Sequence, residues 1–191
     1  MTDVAWFVGR GTGVVTLVLL TVVCVLGIAT RRGQPAFALP RFGVAAVHRN
    51  ASLWALCLLG VHVTTMVIDP YAQIALVDVV VPFTSDYRPL WVGLGTLALD
   101  LLLALVATSL LRHRIGLRGW RAVHWLAYAA WPLAFVHGLQ SGTDGRSAWY
   151  LGLSVLCGVA ITVAVGWRLS AGFAGRTGSA QPDPVVPRAE S

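Results

Sequence analysis

No lysine occurs in this 191-residue chain, and all 14 basic residues are arginine. Charge of either sign is scarce, at 12% of residues, where soluble domains carry about a quarter. That scarcity excludes an ordinary soluble domain. Cysteine is limited to Cys24, Cys57 and Cys157, each inside an apolar run. An odd number of widely spaced thiols builds no disulfide framework, and the three read as small packing residues. There is no internal repeat, no glycine-rich dinucleotide fingerprint and no small-x-small cleavage site after the first apolar run. The net charge of +6 is not gathered into one basic domain, so it does not read as nucleic-acid affinity. Arginine without lysine, in a chain rich in Ala, Val, Gly and Leu, matches the composition expected of a GC-rich bacterial genome.

What the chain does contain is apolar sequence: 57% hydrophobic residues and a mean hydropathy of +0.73. Five runs are long enough to cross roughly 30 Å of hydrocarbon at about 1.5 Å per residue. They cover residues 13–29, 44–68, 91–111, 122–139 and 148–167. The predicted fold is therefore all-α, a polytopic membrane helix bundle of five transmembrane helices. Residues 1–12 are expected as an N-terminal segment, 13–168 as the bundle and 169–191 as a disordered tail rich in Gly, Pro and polar residues.

Arginines alternate between the connections. Arg31, Arg32, Arg41 and Arg49 flank the first, Arg112, Arg114, Arg118 and Arg121 the third, and Arg168, Arg176 and Arg188 follow the last span. The opposite side holds Arg10, Arg88 and Arg146, with Asp3, Asp69, Asp78, Asp86 and Asp144. Under the positive-inside rule this puts the N-terminus outside and the C-terminus in the cytoplasm. Trp6, Trp91, Trp120, Trp149 and Trp167 fall at predicted helix ends, where interfacial tryptophans belong. The outer stretch Tyr71–Phe83, between Pro70 and Pro82, is too short to span and is expected to lie along the surface.

Four of the five histidines occupy two spans that run in the same direction: His48 and His62 in the second, His124 and His137 in the fourth. Ionisable groups in a span are costly and point to function, and neutral imidazole is a good iron ligand. The spacings correspond to about 21 Å and about 20 Å along a helix, so the histidines fall at two matching depths. A planar macrocycle clamped at each depth, between one histidine from each helix, fits that arrangement. The rotation fits less well. His48 and His62 differ by about 40°, but His124 and His137 by about 140° on a regular helix. Pro132 lies between the latter two and removes the bond to the Tyr128 carbonyl, so a kink there would change the phase. The alternative is four histidines that only hydrogen-bond between helices. His113, inside Arg112-His113-Arg114, reads as a solvated boundary residue.

The pairs His48-x13-His62 and His124-x12-His137, with arginine-rich inner loops, resemble the ferric reductase-like transmembrane domain over about residues 10–168. That superfamily includes ferric reductases, NADPH oxidases and the haem-binding membrane subunit of periplasmic methionine sulfoxide reductase systems. The resemblance implies two b-type haems, the inner held by His48 with His124 and the outer by His62 with His137. Unlike the larger members, only 24 residues follow Trp167. The chain is thus expected to rely on a separate cytoplasmic-side donor, a flavin reductase or quinol, and on an extracytoplasmic acceptor. Some small bacterial members carry flavin, so FMN or FAD stays open, although no motif supports it.

The expected function is a transmembrane electron conduit in a bacterial plasma membrane. A stand-alone surface ferric or metal reductase, and a non-redox anchor subunit, are the alternatives. Arg49 and Arg121, beside the inner histidines, are candidates for haem propionates, or for snorkelling to the interface. Arg88 or Arg146 are the outer counterparts. Asp100, the one acid inside a span, is expected either to carry protons or to hydrogen-bond with Thr96 or another helix. Trp54 and Trp131 read as packing groups. Asn50-Ala51-Ser52 matches a glycosylation pattern on the wrong side of the membrane.

Overall fold

The computed structural model describes residues 2–31, 36–142, 145 and 147–170. Its elements are seven helices: α1 (Thr2–Arg31), α2 (Arg41–Ile68), α3 (Leu76–Val80), α4 (Pro89–Leu110), α5 (Arg112–His124), α6 (Ala127–Ser141) and α7 (Ala148–Leu169). Of the expected tail 169–191, Leu169 still belongs to α7 and Ser170 caps it; residues 171–191, with Arg32, Asp144 and Arg146, lie outside the described residues.

Val4–Thr30, Phe42–Ile68, Pro89–Leu110 and Ala148–Leu169 are long and apolar enough to cross a membrane. This is a multi-pass helical membrane protein. The first helix starts at Thr2 rather than near Gly13. A polar residue near a helix end does not stop helix propagation, and Arg10 lies over the Trp6 ring, 5.4 Å from its centroid.

The predicted fourth span falls across the junction of α5 and α6. At 15 residues, α6 covers only about 22 Å on its own. Trp125 and Leu126 nevertheless keep right-handed helical dihedrals. Three bonds in this stretch are of the tighter i→i+3 kind: Leu126 N–H to Val123 O, Tyr128 N–H to Trp125 O and Ala129 N–H to Leu126 O. Each residue wound at three per turn instead of 3.6 gains about 20°. Three such residues would reduce the His124–His137 phase gap from about 140° to about 80°. The overwinding therefore sits before Pro132, and α6 continues through that proline. Arg168 of α7 braces the junction, stacking over Trp125 at 4.3 Å and Tyr128 at 5.1 Å and donating to the Tyr128 hydroxyl.

Helix α1 is the hub, packed against α2, α6 and α7, while α4 packs against α6. The α1–α2 connection includes a tight turn in which Ala36 and Leu39 exchange backbone bonds of 3.1 and 2.9 Å. Leu20, Ala55, Trp131 and Cys157 form a mid-bundle core, with Cys24 and Phe135 packed against it. Trp131 and Cys157 are thus packing residues, as expected. Trp54 differs: it is 66% exposed, on the outside of the bundle, because its position on α2 turns away from α1. Cys57 is likewise exposed.

The α2–α4 connection folds over one end of the bundle. Short α3 lies within the Tyr71–Phe83 stretch, and Tyr71, Leu76 and Val80 are exposed. Buried Asp78 organises the connection. Its Oδ2 accepts Ala75 N–H at 2.9 Å, its Oδ1 accepts the Thr84 hydroxyl at 2.8 Å, and its carbonyl accepts Thr96 Oγ1–H at 2.6 Å. Thr96 thereby commits its proton to Asp78, not to Asp100, which is half-buried on α4.

Candidate functional site

His62 and His137 meet across the space between α2 and α6. Their ring centroids are 6.3 Å apart and their planes 81° from parallel. Each ring is fixed from behind by a third helix. His62 Nδ1 lies 2.7 Å from the Gly9 carbonyl of α1, and His137 Nδ1 lies 2.7 Å from the Trp91 carbonyl of α4. A carbonyl can only accept, so each Nδ1 carries the hydrogen and each Nε2 keeps its lone pair. Ser141 Oγ adds a contact to His137 Nδ1 at 3.2 Å.

A cavity opens beside this pair. Leu17, Leu20, Leu59, Val63, Leu99 and Leu102 line its apolar part. Arg10, Tyr87, Tyr150 and Asp78 are polar side chains on the same lining. The α2–α4 connection closes over it through Ala72, Ile74 and Val79.

These features match a metal macrocycle better than a bare ion. Among the described residues, no group of three or more His, Cys, Asp and Glu side chains gathers to coordinate an ion. Two opposed imidazoles leave an equatorial plane that a porphyrin fills with four nitrogens. His62 and His137 are the residues that would hold such a group, and the 6.3 Å between their ring centres leaves room for one metal atom between the two rings.

At the other end of the bundle, His48 Nδ1 lies 3.0 Å from the Val23 carbonyl of α1. His124, at the end of α5, lies against Trp120 with ring centroids 4.9 Å apart and planes tilted by 31°, and Trp120 donates to Ser109 Oγ at 3.2 Å. Ring-to-ring contact thus joins His62 with His137, whereas His48 contacts α1 and His124 contacts Trp120. Arg49, Arg121 and His113 are exposed nearby in sequence.

Arg88, expected as an outer propionate partner or a loop charge, donates to the Gln140 carbonyl and lies over the Tyr87 ring, tying the start of α4 to the end of α6. Among the described residues, the arginine that lines the cavity is Arg10, which sequence reading left as a flanking charge. Its signal was its place four residues after Trp6 on one helix face, inside the first helix and not before it.

Taken together, the chain is a multi-pass helical bundle in which the imidazoles of His62 and His137 face each other beside a largely apolar cavity. The chain belongs to the ferric reductase-like transmembrane component family, whose model matches residues 12–135. The match includes His48, His62 and His124 and stops just short of His137. Neither the curated proteins nor the solved structures compared with the chain gave a match. Membership in this family points to a membrane electron-transfer component.

Proposed function

We propose that the protein is a transmembrane b-type cytochrome, moving electrons from a cytoplasmic-side donor through two bis-histidine haems to an extracytoplasmic acceptor. The observation that carries this reading is the opposition of His62 and His137, 6.3 Å between ring centres with both Nδ1 hydrogens committed to backbone carbonyls. A haem held by two imidazoles has no open coordination site and exchanges electrons at its ring edge.

The chain's own residues supply the rest. His62 and His137 present Nε2 at the outer level, and His48 with His124 are assigned the inner level. Arg10, Tyr87 and Tyr150 offer a cation and two hydroxyls for outer propionates. Arg49 and Arg121 do the same within reach of the cytoplasmic interface. The leucine and valine lining gives the outer pair a largely apolar setting, in which electrostatic contacts are stronger than in water. Orientation follows from eleven arginines on one side against three on the other. The fifth crossing is made by residues 117–141, about 37 Å of nearly continuous helix. The setting is a bacterial plasma membrane. The donor is a separate flavin reductase or quinol, and the acceptor a redox partner or ferric chelate.

Proteoliposomes with a chemical reductant inside and a ferric chelate outside test the proposal. Reduction of the chelate that depends on haem-loaded protein supports it. Reduction that appears only when a partner protein is added favours the conduit over a stand-alone metal reductase. Absence of low-spin haem bands after haem-replete expression defeats both redox readings and leaves an anchor subunit.

A further inference from the structure

The three carbonyl-bound histidines share a local device. A Cβ built on Gly13 would come within 2.9 Å of His62 Nδ1 and Cε1, one on Gly95 within 2.6 Å of the same atoms of His137, and one on Gly27 within 3.3 Å of His48 Cε1. In each case the glycine lies four residues beyond the carbonyl that the same ring binds: Gly9 and Gly13, Val23 and Gly27, Trp91 and Gly95.

The spacing has a physical reason. A helical carbonyl at position i already accepts the N–H of i+4 and keeps one lone pair. Because Cα–Cβ bonds tilt toward the helix N-terminus, the side chain at i+4 lies over that carbonyl. Glycine at i+4 removes this cover and leaves a notch that admits the Nδ1–Cε1 edge of an imidazole. On α1 the two notches are fourteen residues apart, the same spacing as His48 and His62 on the antiparallel α2. The two helices are therefore complementary at both levels.

The fourth position lacks the device. Stepping along α4 from Trp91 and Gly95 by the thirteen residues that separate His124 from His137 leads to Ala104 and Thr108. There Thr108 Oγ1 donates to the Ala104 carbonyl at 2.7 Å, occupying its lone pair.

We propose that Gly13, Gly27 and Gly95 are positioning residues, which dictate the tautomer and ring orientation of His62, His48 and His137 so that Nε2 faces the cofactor. This rests on the ligand roles assigned above. Metal-bound histidines that lose such an outer partner typically lose 10–100-fold in metal affinity.

Two measurements test it. Nitrogen-15 spectra of histidine-labelled, haem-free protein in bilayers should find His48, His62 and His137 protonated on Nδ1; protonation of these rings on Nε2 overturns the proposal. In haem-loaded protein, Gly95→Ala and Gly13→Ala should weaken haem retention about 10- to 100-fold and shift the low-spin ferric electron paramagnetic resonance signal of the outer pair. Gly27→Ala, with its longer contact, should shift the inner signal without loss of haem. Gly11→Ala, where a Cβ meets nothing within 4 Å, should match wild type. Gly13→Ala and Gly95→Ala variants that are helical and monodisperse, yet spectroscopically identical to Gly11→Ala, overturn it. Wild-type protein that takes up no haem refutes the ligand reading alone, and the nitrogen spectra then decide the notch.

Discussion

Trp131 donates its indole N–H to Thr21 Oγ1 at 2.9 Å, and Thr21 donates in turn to the Leu17 carbonyl at 2.9 Å. This bond joins α6, which carries His137, to α1, which fixes the rings of α2. The frame that sets the His62–His137 separation is therefore tied at mid-bundle, in the apolar core with Leu20, Ala55 and Cys157. Thr21→Val keeps the shape but removes the acceptor. Interhelical bonds in membranes are worth about 0.6–2 kcal/mol, so Thr21→Val should lower stability by about 1 kcal/mol. Unfolding from mixed micelles by added denaturing detergent measures this, and Trp131→Phe with Thr21→Val should then cost little more than Trp131→Phe alone.

Arg10 is expected to act on the outer cofactor electrostatically. A cation favours the added electron, so its removal lowers the midpoint potential. If its interaction is worth about 1 kcal/mol, Arg10→Gln lowers the outer midpoint by about 40 mV. Arg88→Gln, whose partner is the Gln140 carbonyl, should leave that potential near wild type and instead loosen the α4–α6 end. A redox titration of both variants separates the two roles.

Asp78 holds the α2–α4 connection over the cavity by accepting from the Ala75 amide and the Thr84 hydroxyl. Asp78→Ala leaves the Ala75 amide without its acceptor, while the Thr84 hydroxyl keeps the Val81 carbonyl at 2.9 Å, at a cost of roughly 1–3 kcal/mol to local structure. Hydrogen exchange of residues 69–88 should accelerate markedly while the mid-bundle of α1 stays protected. Uniform acceleration throughout the chain would show that Asp78 supports the whole fold and not the cover alone.

Much of this architecture could be read from residue pattern, because the bilayer imposes long apolar runs and makes each intramembrane histidine conspicuous. Four runs became spanning helices, and the spacing of His62 and His137 pointed to partners. The α5–α6 junction was not legible, since the tightened turns at Trp125 and Leu126 involve no proline or glycine and depend on stacking by distant Arg168. Pro132 drew attention to the wrong turn. Trp54 looked buried because hydropathy gives depth in the membrane but not which face meets lipid. The notches were present as a signal, Gly13 and Gly27 spaced like His48 and His62, but glycine in membrane helices is too common to single out without the rings beside it.

The most direct test is the haem content of purified wild-type, His62→Ala and His137→Ala proteins after haem-replete expression. The account requires two low-spin haems per wild-type chain and one in each variant, with the same spectral component missing from both. Two haems retained in His62→Ala, or different components lost in the two variants, would contradict the pairing of His62 with His137.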